Sequence, residues 1–209
     1  MWRMCGLMSG AMLIAVLWIG CGSTGGDDQL VMQFLHFDNT GITQADSVRE
    51  TSADVDIVPG ECLSGTTITP EPFTQTIINA VFRNNEASDI RLNQVVIDVD
   101  PKSQLQTITR ELPGLLPGGE CNNIDQQCAS DADCQGVVGA CSHTETTIGS
   151  ILLFDFSNKL HIVTAPVVGS TYNVTITFFG SDPNRSFETT THYVVTFANF
   201  DNCKTTTGG

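Results

Sequence analysis

YNVTITF, residues 172–178, sets Tyr172, Val174, Ile176 and Phe178 against Asn173, Thr175 and Thr177 in strict alternation. A period of two belongs to a β-strand with one dry and one wet face, because successive side chains point to opposite sides. GSDPNRS, residues 180–186, then supplies turn residues, and Phe187, Tyr193, Val195 and Phe197 resume the apolar series. The stretch reads as an antiparallel hairpin with one core face and one threonine-rich solvent face.

The same period recurs upstream. In IRLNQVVIDV, residues 90–99, Val95, Ile97 and Val99 alternate with Gln94, Val96 and Asp98, and Pro101 ends the run. QTIINAVFR, residues 75–83, places Ile78, Ala80 and Phe82 on one face and Ile77, Asn79, Val81 and Arg83 on the other, before the turn at Asn84-Asn85. DVDIV, residues 54–58, alternates and stops at Pro59-Gly60; LVMQFLHF, residues 30–37, is a dense apolar run that favours a strand and leaves a helix open. Residues 105–110 read as a further strand, and Ile148–Phe156 and Leu160–Val163 as one or two more. Residues 38–53 are polar and read as a loop. So does LPGLLPGGE, residues 112–120, whose two Pro-Gly pairs argue against a regular ladder or helix. Seven to nine strands without long helical periodicity predict an all-β protein, an antiparallel sandwich of two sheets.

At the other end of the chain, Arg3 is the only charge before Asp27, and Leu7 to Ile19 form an apolar run broken only by Ser9 and Gly10. It is short of the roughly 20 apolar residues that span a bilayer, and its charged start and short apolar centre are those of a secretory signal. The run ends Trp18-Ile19-Gly20-Cys21, which resembles the bacterial lipoprotein box, with Trp18 where a small aliphatic residue is usual. That resemblance implies a signal peptide over residues 1–20 and lipidation of Cys21; an uncleaved anchor is the alternative. Gly22 after the cysteine implies, by the same resemblance, an outer-membrane lipoprotein of the cell envelope. GSTGGDDQ, residues 22–29, lacks apolar side chains and completes a lipidated tether over 21–29 with a mean reach of roughly 15 Å. The sandwich domain is expected over 30–209. Its order of features, FRNN, DIRL, QVVIDV and the closing hairpin, resembles the immunoglobulin-like or fibronectin-like sandwich and is similar to uncharacterised secreted lipoproteins of Gram-negative bacteria. The resemblance covers about residues 54 to 203 and implies a fold, not an activity.

Cysteine parity agrees with export. Of Cys5, Cys21, Cys62, Cys121, Cys128, Cys134, Cys141 and Cys203, cleavage removes the first and acylation occupies the second, leaving an even six for three disulfides. Four fall in an insert, residues 121–141, at intervals unlike zinc knuckles or haem attachment. Two disulfides in the insert are expected, with three connectivities open. CASDADC, residues 128–134, resembles units of small disulfide-bonded secreted modules, and by that analogy Cys121 pairs with Cys134 and Cys128 with Cys141. Cys62 and Cys203 are then left for each other.

Asp125, Asp131 and Asp133 in the insert offer hard oxygen ligands, and the run from Asp131 copies the opening of an EF-hand loop. Gln135 and Ser142 stand where acidic ligands belong, so turn-capping aspartates remain the other reading, and calcium is the candidate cofactor. No G-x-S-x-G, H-E-x-x-H, S-x-x-K or phosphate loop occurs, and His36, His143, His161 and His192 are scattered. Without residues 1–20 the chain carries 23 acids against 8 bases, which disfavours nucleic acid as a partner. The sequence therefore predicts a non-catalytic, lipid-anchored binding, adhesion or assembly module whose partner is an envelope protein or surface ligand. The alternative is a ligand or calcium binder acting through the insert.

Overall fold

The computed structural model describes residues 31–40, 46–64, 66–100, 105–122, 124–134, 140–163, 169–200 and 203. The expected signal peptide, Cys21 and the tether lie outside them. Fourteen strands are described: β1 (Met32–Phe37), β2 (Ser47–Val48), β3 (Ser52–Asp56), β4 (Glu61–Ser64), β5 (Thr67–Pro70), β6 (Thr76–Asn84), β7 (Ile90–Val99), β8 (Ile108–Leu116), β9 (Gly119–Cys121), β10 (Gln127–Cys128), β11 (Cys141–Ser142), β12 (Glu145–Phe154), β13 (Ser170–Ser181) and β14 (Ser186–Ala198). One α-helix, α1 (Phe156–Val163), follows β12. The chain is thus mostly β. A six-stranded sheet runs β2-β3-β14-β13-β7-β8 and a three-stranded sheet β1-β6-β12; β10-β9-β11 and β4-β5 form two small sheets.

All pairings are antiparallel except β3 with β14, which is parallel. The hairpin read from the sequence is β13–β14, in register from Ser170↔Phe197 to Ser181↔Ser186. Its dry face, Tyr172, Val174, Ile176, Phe178, Phe187, Tyr193, Val195 and Phe197, is buried. Ile78, Ala80 and Phe82 on β6 are buried as well and meet that face. Rings lock the two layers: Phe82 packs edge-on to Phe178 at 4.9 Å, Phe37 to Tyr193 at 5.1 Å and Phe154 to Phe197 at 5.3 Å. Each fully buried ring contributes about 1.5–3 kcal/mol of apolar burial, and tilted or edge-on pairs add to it.

Three sequence expectations need correction. Residues 112–120 are not a loop: β8 runs through Leu112-Pro113-Gly114 and ends at Leu116, and β9 begins at Gly119. Between the pairs Leu92↔Gly114 and Gln94↔Glu111 two residues of β8 oppose one of β7, a bulge. β8 is also the outer strand of its sheet, so the N–H that Pro113 lacks is not called for. Residues 160–163 are helix rather than strand, because Asp155 caps α1: its Oδ1 accepts the Asn158 N–H at 2.8 Å and the Ser157 hydroxyl at 2.9 Å. His161 accordingly lies in α1, away from the strand position expected. Within 38–53, Ser47–Val48 forms the short strand β2 against β3.

The fold has two ends. β6 finishes at Asn84, beside the start of β1 and the cysteine insert. It starts at Thr76, beside the end of β12 and the buried residues Asp46 and Lys159.

Candidate functional site

The insert is a small body held by sulfur. Cys121 bonds Cys134 and Cys128 bonds Cys141, each across 13 residues, while Cys62 bonds Cys203 across 141. These are the pairs named from the sequence. Cys121, Cys128 and Cys134 are buried and form with Ile124 and Cys141 a core of their own, as a peptide too short to bury much surface requires. Their sulfurs lie within 4.8 Å of one another, but as disulfides they present no thiolate to a metal.

The three aspartates do different jobs. Asp133 Oδ2 accepts the N–H groups of Ala129 and Ser130, each at 2.9 Å, and these bonds hold its carboxyl below the usual carboxylate range. Asp131 Oδ1 accepts the Cys141 N–H at 2.8 Å, tying the short 3₁₀ turn at Asp131–Cys134 to β11. Asp125 is exposed on the far side of that pair in sequence. Asp133 thus caps a turn, and Asp131 makes a longer-range tie within the insert. Among the described residues the set of acidic, histidine and cysteine groups close enough to share an ion is the trio of cysteines, and it does not include these aspartates.

Asn84 ties the β6–β7 turn to the end of β8, beside the insert. It is 2% exposed, and its Nδ2 donates to the carbonyls of Ser88 at 2.8 Å and Leu116 at 3.1 Å while its Oδ1 accepts the Glu86 N–H at 3.0 Å. Its own carbonyl lies 2.6 Å from His143 Nδ1. A carbonyl only accepts, so Nδ1 carries the proton, and Nε2 faces Cys141 Sγ at 3.4 Å. Gly118 is the other fixture: its N–H donates to Asp89 Oδ1 at 3.0 Å, and a Cβ there would stand 2.1 Å from the Ala87 carbonyl oxygen. The Pro-Gly-Gly run therefore serves a close crossing between β8 and β9.

This crossing gathers three connections at one end: β6–β7, the insert, and the β13–β14 turn. Ser88, Asp89, Arg91, Gln127, Ser181, Asp182 and Pro183 line a cavity of about 520 Å³ among them. Asp182 shapes the turn, its Oδ1 accepting the Asn184 and Arg185 N–H groups at 2.7 and 2.9 Å and its Oδ2 the Ser88 hydroxyl at 3.1 Å. The Asn184 bond, with the others, keeps the Asp182 carboxyl below its ordinary value despite some desolvation. Arg185 reaches Glu86 at 3.0 Å and lies over the Phe187 ring. The polar, mixed-charge lining suits a small polar ligand or a polar peptide turn.

The opposite end carries β4–β5, a hairpin in register from Glu61↔Pro70 to Ser64↔Thr67. It joins neither main sheet. Leu63 and Ile68 are direct cross-strand partners, 72% and 62% exposed, ahead of Leu160, Leu115 and Phe156, the other exposed large apolar side chains among the described residues. The Cys62–Cys203 bond fastens the hairpin's base to the segment after β14. ECLSGTTITP, residues 61–70, has no dry face, so no alternation announces these strands in the sequence. His36 and His192 are exposed on β1 and β14, and His192 Nδ1 lies 3.4 Å from the Thr175 hydroxyl.

The Val31 carbonyl accepts the Asn85 N–H at 2.9 Å, at the insert end. No helix among the described residues is long and apolar enough to cross a membrane. Comparison of the chain with protein-family models, curated proteins and solved structures finds no match.

Proposed function

We infer that this is an exported protein held to a bacterial envelope membrane by a lipid on Cys21, and that its immunoglobulin-like sandwich is a non-catalytic assembly or adhesion module. The fold part of the reading is supported by strand order. Lettered along the chain, β1, β6 and β12 supply an A-B-E sheet, and β14-β13-β7 supply G-F-C with β8 in the C′ place. The cysteine insert stands between C′ and E.

Orientation decides which end meets a partner. Val31 enters at the insert end, and a lipid ten residues earlier, on a tether of roughly 15 Å reach, turns that end toward the bilayer. The β4–β5 hairpin then points away from it. The observation that carries the function is the exposed Leu63–Ile68 pair on this hairpin: a paired apolar contact presented on a fastened support is what a protein partner uses as an anchor. The test compares full-length protein with a Leu63→Asp, Ile68→Asp double variant, crosslinked and captured in the native envelope. Loss of a specific partner with an unchanged urea midpoint supports the reading; an identical set of partners rejects it.

The insert-end cavity favours a second reading, a ligand binder facing the membrane surface, with calcium among its candidate ligands. Deleting residues 122–140 separates the two. Loss of partner or calcium binding with the sheets intact would place function in the insert, and calorimetry without heat at millimolar calcium would remove the ion.

A further inference from the structure

Lys159 and Asp46 are wholly buried, both side chains at 0% exposure, with Nζ 2.6 Å from Asp46 Oδ2. Burying a charged pair in a protein without a visible reaction to serve is costly unless every atom is bonded, and here each atom is bonded in a distinctive way. Nζ also donates to the Thr74 carbonyl at 2.6 Å. Asp46 Oδ1 accepts the Asp56 backbone N–H at 2.9 Å, and Oδ2 accepts the Thr76 hydroxyl at 2.7 Å. The Phe73 ring covers the amine, its centroid 5.3 Å from Nζ.

Those partners are the ones an amide would need. We propose that Lys159 and Asp46 condense into an intramolecular isopeptide bond linking α1 to the segment before β2. Nζ passes a proton to Oδ2 across their hydrogen bond and attacks Asp46 Cγ. The Asp56 N–H stabilises the negative charge that builds on Oδ1, the part played by an oxyanion hole. The C–N bond forms, the bond from Cγ to Oδ2 breaks, and Oδ2 leaves as water carrying the two protons that Nζ gives up, with the Thr76 hydroxyl placed to relay the second. An ammonium and a carboxylate become one neutral amide and one water, and nothing external is consumed. Afterwards the amide N–H keeps Thr74 O as acceptor and the amide carbonyl keeps the Asp56 N–H as donor. Fixed contact in a site closed to water favours both the attack and the survival of the product. The bond spans a separation of 113 residues.

The test is intact mass spectrometry of the full chain, reduced and alkylated, followed by peptide mapping. The expected result is a mass one water below that of the linear composition and a branched peptide joining residues 46 and 159. Lys159→Arg keeps the charge and the pairing but should show no water loss. Asp46→Asn should give a product of the same mass as the crosslinked parent, having released ammonia instead. A folded parent with full linear mass, or a water loss that persists in Lys159→Arg, overturns the proposal and leaves an ion pair.

Discussion

Replacing Asn84 with alanine tests whether one side chain holds the β6–β7 turn to the end of β8, the strand that leads into the insert. The amide makes three hydrogen bonds, to Ser88 O, Leu116 O and the Glu86 N–H, at 2.8, 3.1 and 3.0 Å, and the residue is 2% exposed. A made hydrogen bond contributes about 1 kcal/mol net, and a buried carbonyl left without a donor costs about 1–3 kcal/mol. Leu116 is fully buried, so its carbonyl bears the larger cost, whereas Ser88 is only partly covered and water can replace the lost donor. The loss should total about 2–4 kcal/mol, or a fall in Tm of about 5–15 °C for a domain of this size. Asn84→Asp sharpens the argument. It retains the acceptor for Glu86 but sets a carboxylate oxygen against two carbonyls, and should be less stable than alanine at neutral pH. Urea unfolding gives both values, and amide exchange at Gly118 and Gly119 should quicken in step. An alanine variant within about 0.5 kcal/mol of the parent, or an aspartate variant at least as stable as alanine, would refute the reasoning.

The disulfides should rank by the loop each closes: a Cys62→Ser, Cys203→Ser variant should lose about 5 kcal/mol by the chain-entropy estimate for a separation of 141, and Cys121→Ser, Cys134→Ser about 3 kcal/mol for 13, read from urea midpoints beside a non-reducing peptide map. Asp155→Ala removes the α1 cap and the 2.8 Å pair with Arg110, and should cost about 1–2 kcal/mol with fraying of α1 visible by amide exchange. Although burial raises it, the Asp155 carboxyl is held below its ordinary value by the Asn158 N–H, the Ser157 hydroxyl and Arg110. A depressed folded-state value means that the unfolded chain takes up protons first as pH falls. The stabilisation from Asp155 should therefore be complete above about pH 4 and fade as pH drops through the lower folded value, and Asp155→Asn should flatten that part of the acid profile.

What the sequence made legible follows from where periodicity is imposed. Tyr172 to Phe178 must alternate because one side of β13 faces Phe82 and Phe34 and the other faces water. The same constraint exposes β6 and β7 to inspection. Pro113 misled because a proline forbids a central ladder position but not a bulge on an outer strand, and strand order is not written locally. Residues 160–163 misled because LHIV is apolar enough for a strand, while the helix is decided by the cap four residues before Lys159. The 61–70 hairpin has no buried face at all, so no pattern could announce it. Asp46, Thr76 and Lys159 are far apart in the chain, and only the fold makes them one cluster.

The placement of that cluster bears on the proposed role. β1 and β3 both run from the insert end toward the Thr76 end, since Met32 faces Asn84 and Phe37 faces Ala80, while β3 lies parallel to β14 with Asp56 beside Ala198. A pull between a membrane tether before Val31 and a partner on β4–β5 would load these strands along their length, shearing many ladder hydrogen bonds together instead of peeling them singly. The segment carrying that load, from Val31 to Glu61, is tied to the rest of the frame near its middle by Asp46 and just beyond its end by Cys62. Both ties sit at the end where the hairpin would be pulled. An assembly module needs its fastening there, whereas a ligand binder working at the insert end has no mechanical use for it.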